Sequence, residues 1–325
     1  MRHQSTGLRV CLGICLMLFA WSGTGLAQTP MKPFILAWKG AGVLTDKAAE
    51  VEAALKAGGF EIAGRYSPYG TAIVIAVTNP LLKATAAKSR HGGYGAVMRV
   101  ALTQVGNELQ VAYSNPPYLA AAYRLAGPLT EVAAGLKNAL GDQGEFGPQA
   151  GLTAKELAKY HYMFGMEYFD EPSELAKFPS HAQAVQAVEK GLAAKRGGTS
   201  QVYRVDIPGK EEVVFGVALT DECSGDQYIM SRIDFKPLRS TAHLPYEILV
   251  SGKTAYALYA RFRIAINFPD LSMMGDNSFF SIMCAPDEIE EALEKALAGG
   301  LTGKAIYFFH VPTFRGDKIP VQDKR

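Results

Sequence analysis

One order of elements is written twice along this chain, and that repetition constrains the fold more than any composition figure. Thr45 to Lys56 (TDKAAEVEAALK) opens on a cap residue, Thr45 or Asp46. It carries apolar residues at Val51, Ala54 and Leu55 and stops at Gly58-Gly59, which predicts a helix. Phe60 to Tyr66 reads as a strand. Ala72 to Thr78 (AIVIAVT) is a continuous β-branched run of the kind buried on both faces. A short helix follows over Leu81 to Lys88. Two strands, Val97 to Thr103 and Glu108 to Tyr113, then flank the turn Val105-Gly106-Asn107. Helices over Tyr118 to Leu125 and Leu129 to Leu140 close the unit, the second opened by Pro128.

The second half repeats this order. His181 to Lys195 is a helix, Gln201 to Ile207 a strand, and Val213 to Thr220 (VVFGVALT) answers AIVIAVT. Tyr246 to Val250 and Thr254 to Ile266 form a second hairpin around Ser251-Gly252-Lys253. Pro286 to Ala298 answers Pro128 to Leu140. The offsets grow from roughly 135 to 158 residues as loops lengthen. A strand leads into each unit, Pro33 to Trp38 and Tyr162 to Phe169. A further strand, Ala305 to Val311, comes last. The expected class is α+β: two tandem, duplicated domains, each a mainly antiparallel sheet packed against helices, over residues 31–140 and 152–312. The Gly-rich stretch 141–151 is the expected linker, and 313–325 a charged tail.

Several local motifs resemble a known family. They are Gly59-Phe60, Thr78-Asn79-Pro80, the hairpin 101–113 (ALTQVGNELQVAY) and Tyr113-Ser114-Asn115-Pro116 in the first copy, and His243-Leu244-Pro245-Tyr246-Glu247-Ile248 in the second. The pattern is similar to the small α/β domains catalogued as "domain of unknown function 302". The second copy departs from it, with no Gly-Phe after its helix and no Asn-Pro after VVFGVALT. The resemblance implies a compact α+β sandwich that pairs with itself, as a homodimer or, in one chain, as an intramolecular pseudo-dimer. It implies no reaction.

The N-terminus reads as an export signal. Arg2 and Arg9 precede twelve apolar residues, Val10 to Trp21, and Gly25 and Ala27 stand at the −3 and −1 positions of a cleavage site after Ala27. Twelve is short of the roughly 20 that a spanning helix needs. The expectation for residues 1–27 is a Sec signal peptide, and for the remainder a periplasmic chain with no membrane span. The chain has 33 Lys+Arg against 31 Asp+Glu; without Arg2 and Arg9 the balance is even. A neutral chain lacks the excess that neutralises phosphates, so a nucleic-acid partner is excluded.

Export also decides how the cysteines are read. Cys11 and Cys15 leave with the leader, and Cys223 and Cys284 remain. In an oxidising compartment a lone pair favours a disulfide, closing a loop worth roughly 4 kcal/mol in the chain-entropy view. Two other readings stay open. The sulphurs are buried free thiols, or Cys284, just before a helix N-terminus, is an activated thiolate. In the last case Cys284, Cys223, His243 and Met283 are the candidate ligands of a soft metal, copper in its reduced state, with Met273 and Met274 nearby. Such a site would make the chain a thiol- or metal-handling protein.

No histidine pair has zinc-hydrolase spacing, Gly92-Gly93-Tyr94-Gly95 is not followed by the Lys-Ser/Thr of a phosphate loop, and no G-x-S-x-G occurs. No catalytic residue and no cofactor are therefore expected. His91, beside Gly92-Gly93, is the histidine placed to face a site, and His181 reads as a surface residue. The 15 tyrosines, Tyr113, Tyr118, Tyr123, Tyr246, Tyr256 and Tyr259 among them, fit half-buried strand positions or a contact surface. The sequence thus points to a non-catalytic module that binds a small ligand or an envelope protein.

Overall fold

The computed structural model describes residues 29–298; the leader 1–27, the expected strand 305–311 and the tail 313–325 lie outside the described residues. The class is α+β, with one antiparallel sheet of eleven strands running through both halves. The first half contributes β1 (Phe34–Gly40), β2 (Glu61–Tyr66), β3 (Ala72–Thr78), β4 (Met98–Val105), β5 (Glu108–Ser114) and the two-residue β6 (Glu145–Phe146). The second contributes β7 (Ser173–Lys177), β8 (Thr199–Asp206), β9 (Glu212–Leu219), β10 (Tyr246–Ser251) and β11 (Thr254–Ala257). The helices are α1 (Leu44–Ala57), α2 (Pro80–Ala87), α3 (Pro116–Ala122), α4 (Thr130–Leu140), α5 (Ala154–Leu157), α6 (His181–Ala193), α7 (Asp226–Ile233), α8 (Ala260–Asn267) and α9 (Ala285–Leu297). None is long and apolar enough to cross a membrane.

Read outward from the seam between β2 and β8, the strand order is the same on both sides: β2-β3-β4-β5-β1 in one half and β8-β9-β10-β11-β7 in the other. The seam itself is one residue pair, Gly64 against Tyr203. Each of these residues directly follows a bulge, between Ile62 and Gly64 and between Gln201 and Tyr203. Corresponding positions therefore meet, as a local twofold axis through the seam requires. A helix-to-strand ion pair also recurs on each side, Glu52 with Arg65 at 3.0 Å and Glu189 with Arg204.

The register runs in one row across six strands: Arg99, Ala76, Gly64, Tyr203, Gly216, Glu247. Partners in antiparallel pairs project to the same face, so all six share one. Five strand spacings of about 4.8 Å would put Arg99 and Glu247 about 24 Å apart in a flat sheet. They are in contact, Arg99 Nη2 lying 2.6 Å from Glu247 Oε1. The sheet must therefore curl around this face, and the small residues between the two charges give it room to do so.

Each half helps cover the inner face of the other. The tight turn Gly92–Gly95 of the first half packs against β9 and β10, with Gly93 N donating to Glu212 Oε1 at 2.7 Å. The turn Thr241–His243 of the second packs against β3, β4 and β5, where the Thr241 hydroxyl meets Thr103 at 2.8 Å and Tyr69 at 2.9 Å. Both hydrophobic cores accordingly draw on both halves. One joins Ile75, Val100 and Tyr94 to Val214, Leu249 and Phe262; the other joins Phe34, Val74 and Ala101 to Phe215, Ile248 and Leu293.

Most expected elements are present, and the departures have local causes. The stretch Tyr162 to Phe169 is not a strand. Gly165 turns at φ 80°, and Met166 N bonds back to Met163 O, so the strand leading into the second unit is β7. Thr254 to Ile266 is a short strand and then helix α8. Its apolar-charged alternation mimics a strand because Arg263, which reads as outward-facing, is buried among backbone carbonyls. Helix α1 is capped by Val43 without a side-chain bond, not by Thr45 or Asp46. Pro128 does not open α4, whose cap is Leu129 at φ 56°. Helix α7, for which the sequence pattern gives no element, begins at Asp226 after a turn that holds Cys223. The stretch 141–151 is pinned to the sheet edge through β6 on β1, and Leu152 bridges to Met31.

A Cβ added at Gly64 would lie 2.0 Å from Val202 O, and one at Gly216 would lie 2.2 Å from the Tyr203 ring. We expect Gly64→Ala and Gly216→Ala each to destabilise the fold by about 1–3 kcal/mol through overpacking. Urea denaturation checks this: unchanged midpoints would mean the row is not tightly packed.

Candidate functional site

The inner face of the curl holds a buried polar cluster. Arg99 stands in the middle of apolar β4 and is fully buried, as are Tyr203 on β8, Glu247 on β10 and Arg263 on α8. Glu247 Oε1 receives Arg99 Nη2 at 2.6 Å and the Tyr203 hydroxyl at 2.6 Å; its Oε2 lies 3.7 Å from Arg263 Nε. Arg263 Nη2 donates to the carbonyls of His243 and Pro245 at 2.6 and 3.1 Å. Its Nη1 lies 3.3 Å from His243 Nδ1. Arginine can only donate, so Nδ1 is the acceptor and the imidazole proton sits on Nε2, 3.2 Å from the Tyr246 hydroxyl. Burial, with Arg263 and Arg99 alongside, holds the His243 pKa well below its ordinary value, so the ring is neutral.

The crossing turn delivers Tyr94 to this region, and α3 is followed at once by Tyr123. Their rings are 6.5 Å apart, edge to face, and Phe169 stacks on Tyr123 at 5.1 Å. The Tyr94 and Tyr123 hydroxyls and the Arg99 Nε and Nη1 atoms are buried without a hydrogen-bond partner. Burial raises the Tyr94 pKa, and the nearby Glu247 and Glu212 raise it further, so the phenol stays a donor. The cluster offers buried donors and a fixed positive charge.

Cys223 and Cys284 are joined in a disulfide, with Cα atoms 5.9 Å apart. It ties the turn before α7 to the cap of α9, where Cys284 stands. The bonded sulphurs carry no thiolate for attack or metal binding. The four candidate soft ligands are dispersed among different roles: Cys223 with Cys284, Met283 out in solvent, and His243 in the arginine cluster. Among the described residues no three His, Cys, Asp or Glu side chains are grouped to hold a metal ion. Met273 accepts a bond from the Tyr162 hydroxyl, and Met274 is exposed.

His91 is half-buried against the Tyr256 ring at 5.1 Å, and His181 at the start of α6 bonds Gly252 O at 2.8 Å. Tyr113, Tyr118, Tyr123 and Tyr246 are core residues, so the contact-surface reading does not hold for them. A surface groove of about 490 Å³ lies along α6 and β8 beside His181, Gln186 and Arg204. Its cation is already bound, Arg204 gripping Asp206 with two nitrogens at 2.7 and 3.0 Å and pairing with Glu189.

Two further buried carboxyls bound α7, Asp226 as its first residue and Asp234 just past its last. Asp226 Oδ2 accepts from the Tyr66 hydroxyl at 3.0 Å and from Leu219 N at 3.3 Å; Asp234 Oδ1 accepts from Ser240 N at 2.9 Å. Burial outweighs these bonds and pushes each pKa up to about 7.

The sequence marks Glu247 and Tyr94 only as parts of local motifs, and Arg99, Tyr203 and Arg263 not at all. The usable signal is charges of opposite sign at corresponding places in two apolar strands, Met98-Arg99-Val100 and Tyr246-Glu247-Ile248.

Among protein-family models, curated proteins and solved structures, none matches the chain.

Two predictions follow from these groups. A carboxyl with a raised folded pKa binds more protons folded than unfolded, so its contribution to stability is full below about pH 4 and is lost as pH rises to about 7. Neutral His243 works the other way, so wild type is compared with Asp226→Asn/Asp234→Asn. The variant should gain on wild type by a few kcal/mol between pH 4 and 8 in urea midpoints; a constant difference would show that the carboxyls do not titrate there. Cys223→Ser/Cys284→Ser should cost about 2–5 kcal/mol. Mass analysis with an alkylating reagent should find neither Cys223 nor Cys284 modified in wild type, and modification at both would refute the bond.

Proposed function

We propose that the chain is exported to the periplasm, cleaved after Ala27, and acts without catalysis as a small-ligand-binding module built by tandem duplication. In this reading the resemblance to the domain of unknown function 302 family extends to both halves, and the binding region is the inner face that they share. The observation that carries it is the set of buried donors without partners on that face: Arg99 Nε and Nη1 and the hydroxyls of Tyr94 and Tyr123. Leaving such groups unmade costs about 1–3 kcal/mol each, more for a charged one, so a retained cluster of four argues for something that completes it. The repeated strand order, with residues of both halves meeting in the cluster, favours a site shared between the halves.

Mass spectrometry tests this on protein purified from periplasm under native and then denaturing conditions. The expected native mass is that of the chain from Gln28 onward plus a small molecule released on denaturation. Equal native and denatured masses would overturn the binding reading. A denatured mass that retains the leader would overturn the cleavage.

A further inference from the structure

We infer that the inner face binds a small monoanion of the carboxylate type, held by Arg99, Tyr94 and Tyr123. The inference rests on the binding reading above and adds the ligand's chemistry to it. It starts from a charge count. Two fully buried guanidinium groups, Arg99 and Arg263, share one buried carboxylate, Glu247, beside a neutral His243. The cluster carries one positive charge in excess, and an uncompensated buried charge is costly.

The nearby acids do not supply the missing charge. Glu212 is taken by Lys210 Nζ at 3.1 Å, Gly93 N at 2.7 Å and Ser251 Oγ at 3.2 Å. Asp226 is bound to Tyr66 and Leu219.

The donors specify the ligand further. Glu247 occupies Nη2 of Arg99 and leaves Nε and Nη1. With the two phenol hydroxyls these make four unpartnered buried donor groups, a number that a group with two or three oxygens would satisfy. A single charge would balance the cluster, whereas a dianion would leave it one unit negative. The surroundings restrict size: Tyr94, Tyr123, Phe169 and Phe262 pack ring against ring at 5.1 to 6.5 Å, so only a ligand of a few atoms would fit beside them. Acetate and formate have the right charge, oxygen count and bulk.

The test uses the mature chain dialysed into chloride buffer. Its melting temperature is followed as chloride is replaced by acetate, formate or phosphate at constant ionic strength, in wild type and in Tyr94→Phe/Tyr123→Phe. The double variant keeps the aromatic rings and loses only the two hydroxyls, so it is expected to fold. Arg99→Lys serves as a second variant, keeping the charge while losing the fork of nitrogens.

Acetate or formate should raise the wild-type melting temperature by several degrees over chloride. Phosphate should raise it less, and the shift should fall by at least half in both variants. Equal melting temperatures in all four anions, a larger shift with phosphate, or an undiminished shift in Tyr94→Phe/Tyr123→Phe would each overturn the assignment. A neutral molecule released in the mass experiment would also overturn it while leaving the binding reading intact. No released mass together with no anion effect would remove both.

Discussion

The contact on which the rest of this architecture depends is the buried ion pair between Arg99 and Glu247. The two residues stand in strands on opposite sides of the seam, five strand spacings apart along one row of the sheet. They meet only because the sheet closes toward them; Ala76, Gly64 and Gly216 leave room in the row for that closure, and the Tyr203 ring fills the space over Gly216. Buried pairs of this kind add little net stability over well-packed apolar residues, but they penalise every arrangement that leaves one partner alone. A one-residue slip at the seam would send Arg99 or Glu247 to the helix-covered face and break the pair. The pair thus sets the register of a seam that is otherwise a single residue pair, Gly64 with Tyr203.

Curling creates a second requirement, because an inner face lined by Val74, Ala101, Val214 and Leu249 needs cover. The chain meets it reciprocally. The turn before the hairpin in each half reaches across to the other half, Gly92–Gly95 onto β9 and β10 and Thr241–His243 onto β3, β4 and β5. Burial of apolar area, the dominant stabilising term, is in this way made conditional on both halves being folded. The polar bonds at the seam follow the same plan. Tyr66 reaches Asp226 and Tyr69 reaches Thr241 from one side, and Lys210 reaches the carbonyl of Ser89 from the other.

What the sequence disclosed and what it withheld divide along a physical line. Elements whose burial is local were legible. AIVIAVT matches β3 residue for residue, and the Gly-Asn turn of the first hairpin and the amphipathic spacing of α1 and α6 placed those elements within a few residues. The disulfide was legible as the favoured of three readings of Cys223 and Cys284, the pair that would remain if residues 1–27 are an export signal. Elements decided by distant partners were not. Arg263 looks exposed in a strand until the carbonyls of His243 and Pro245 are placed beside it, and Tyr162 to Phe169 looks extended until Phe169 is seen packed on Tyr123. The inner cluster is the extreme case. Each of its charges belongs to a different element, and no sequence period links Arg99 to Glu247 or Tyr94 to Tyr123.

The cluster also bears on why the two halves share one chain. In a symmetric dimer of identical subunits, corresponding residues across a twofold seam are the same residue, so Arg99 would face arginine and Glu247 would face glutamate. Like charges buried face to face are strongly unfavourable. Likewise the position beside the axis would hold two glycines, leaving a gap, or two tyrosines, for which Val202 O and the Gly64 backbone leave no room. In this chain the corresponding positions hold arginine against glutamate and glycine against tyrosine. Each difference removes a conflict that identity would impose. Tandem connection is what permits this, since each half can then specialise toward the other. The interior produced in this way is asymmetric, with Tyr94 and Tyr123 supplied by one half and His243 and Arg263 by the other. An asymmetric, charged interior can distinguish the two ends of a small molecule, which a twofold-symmetric one cannot.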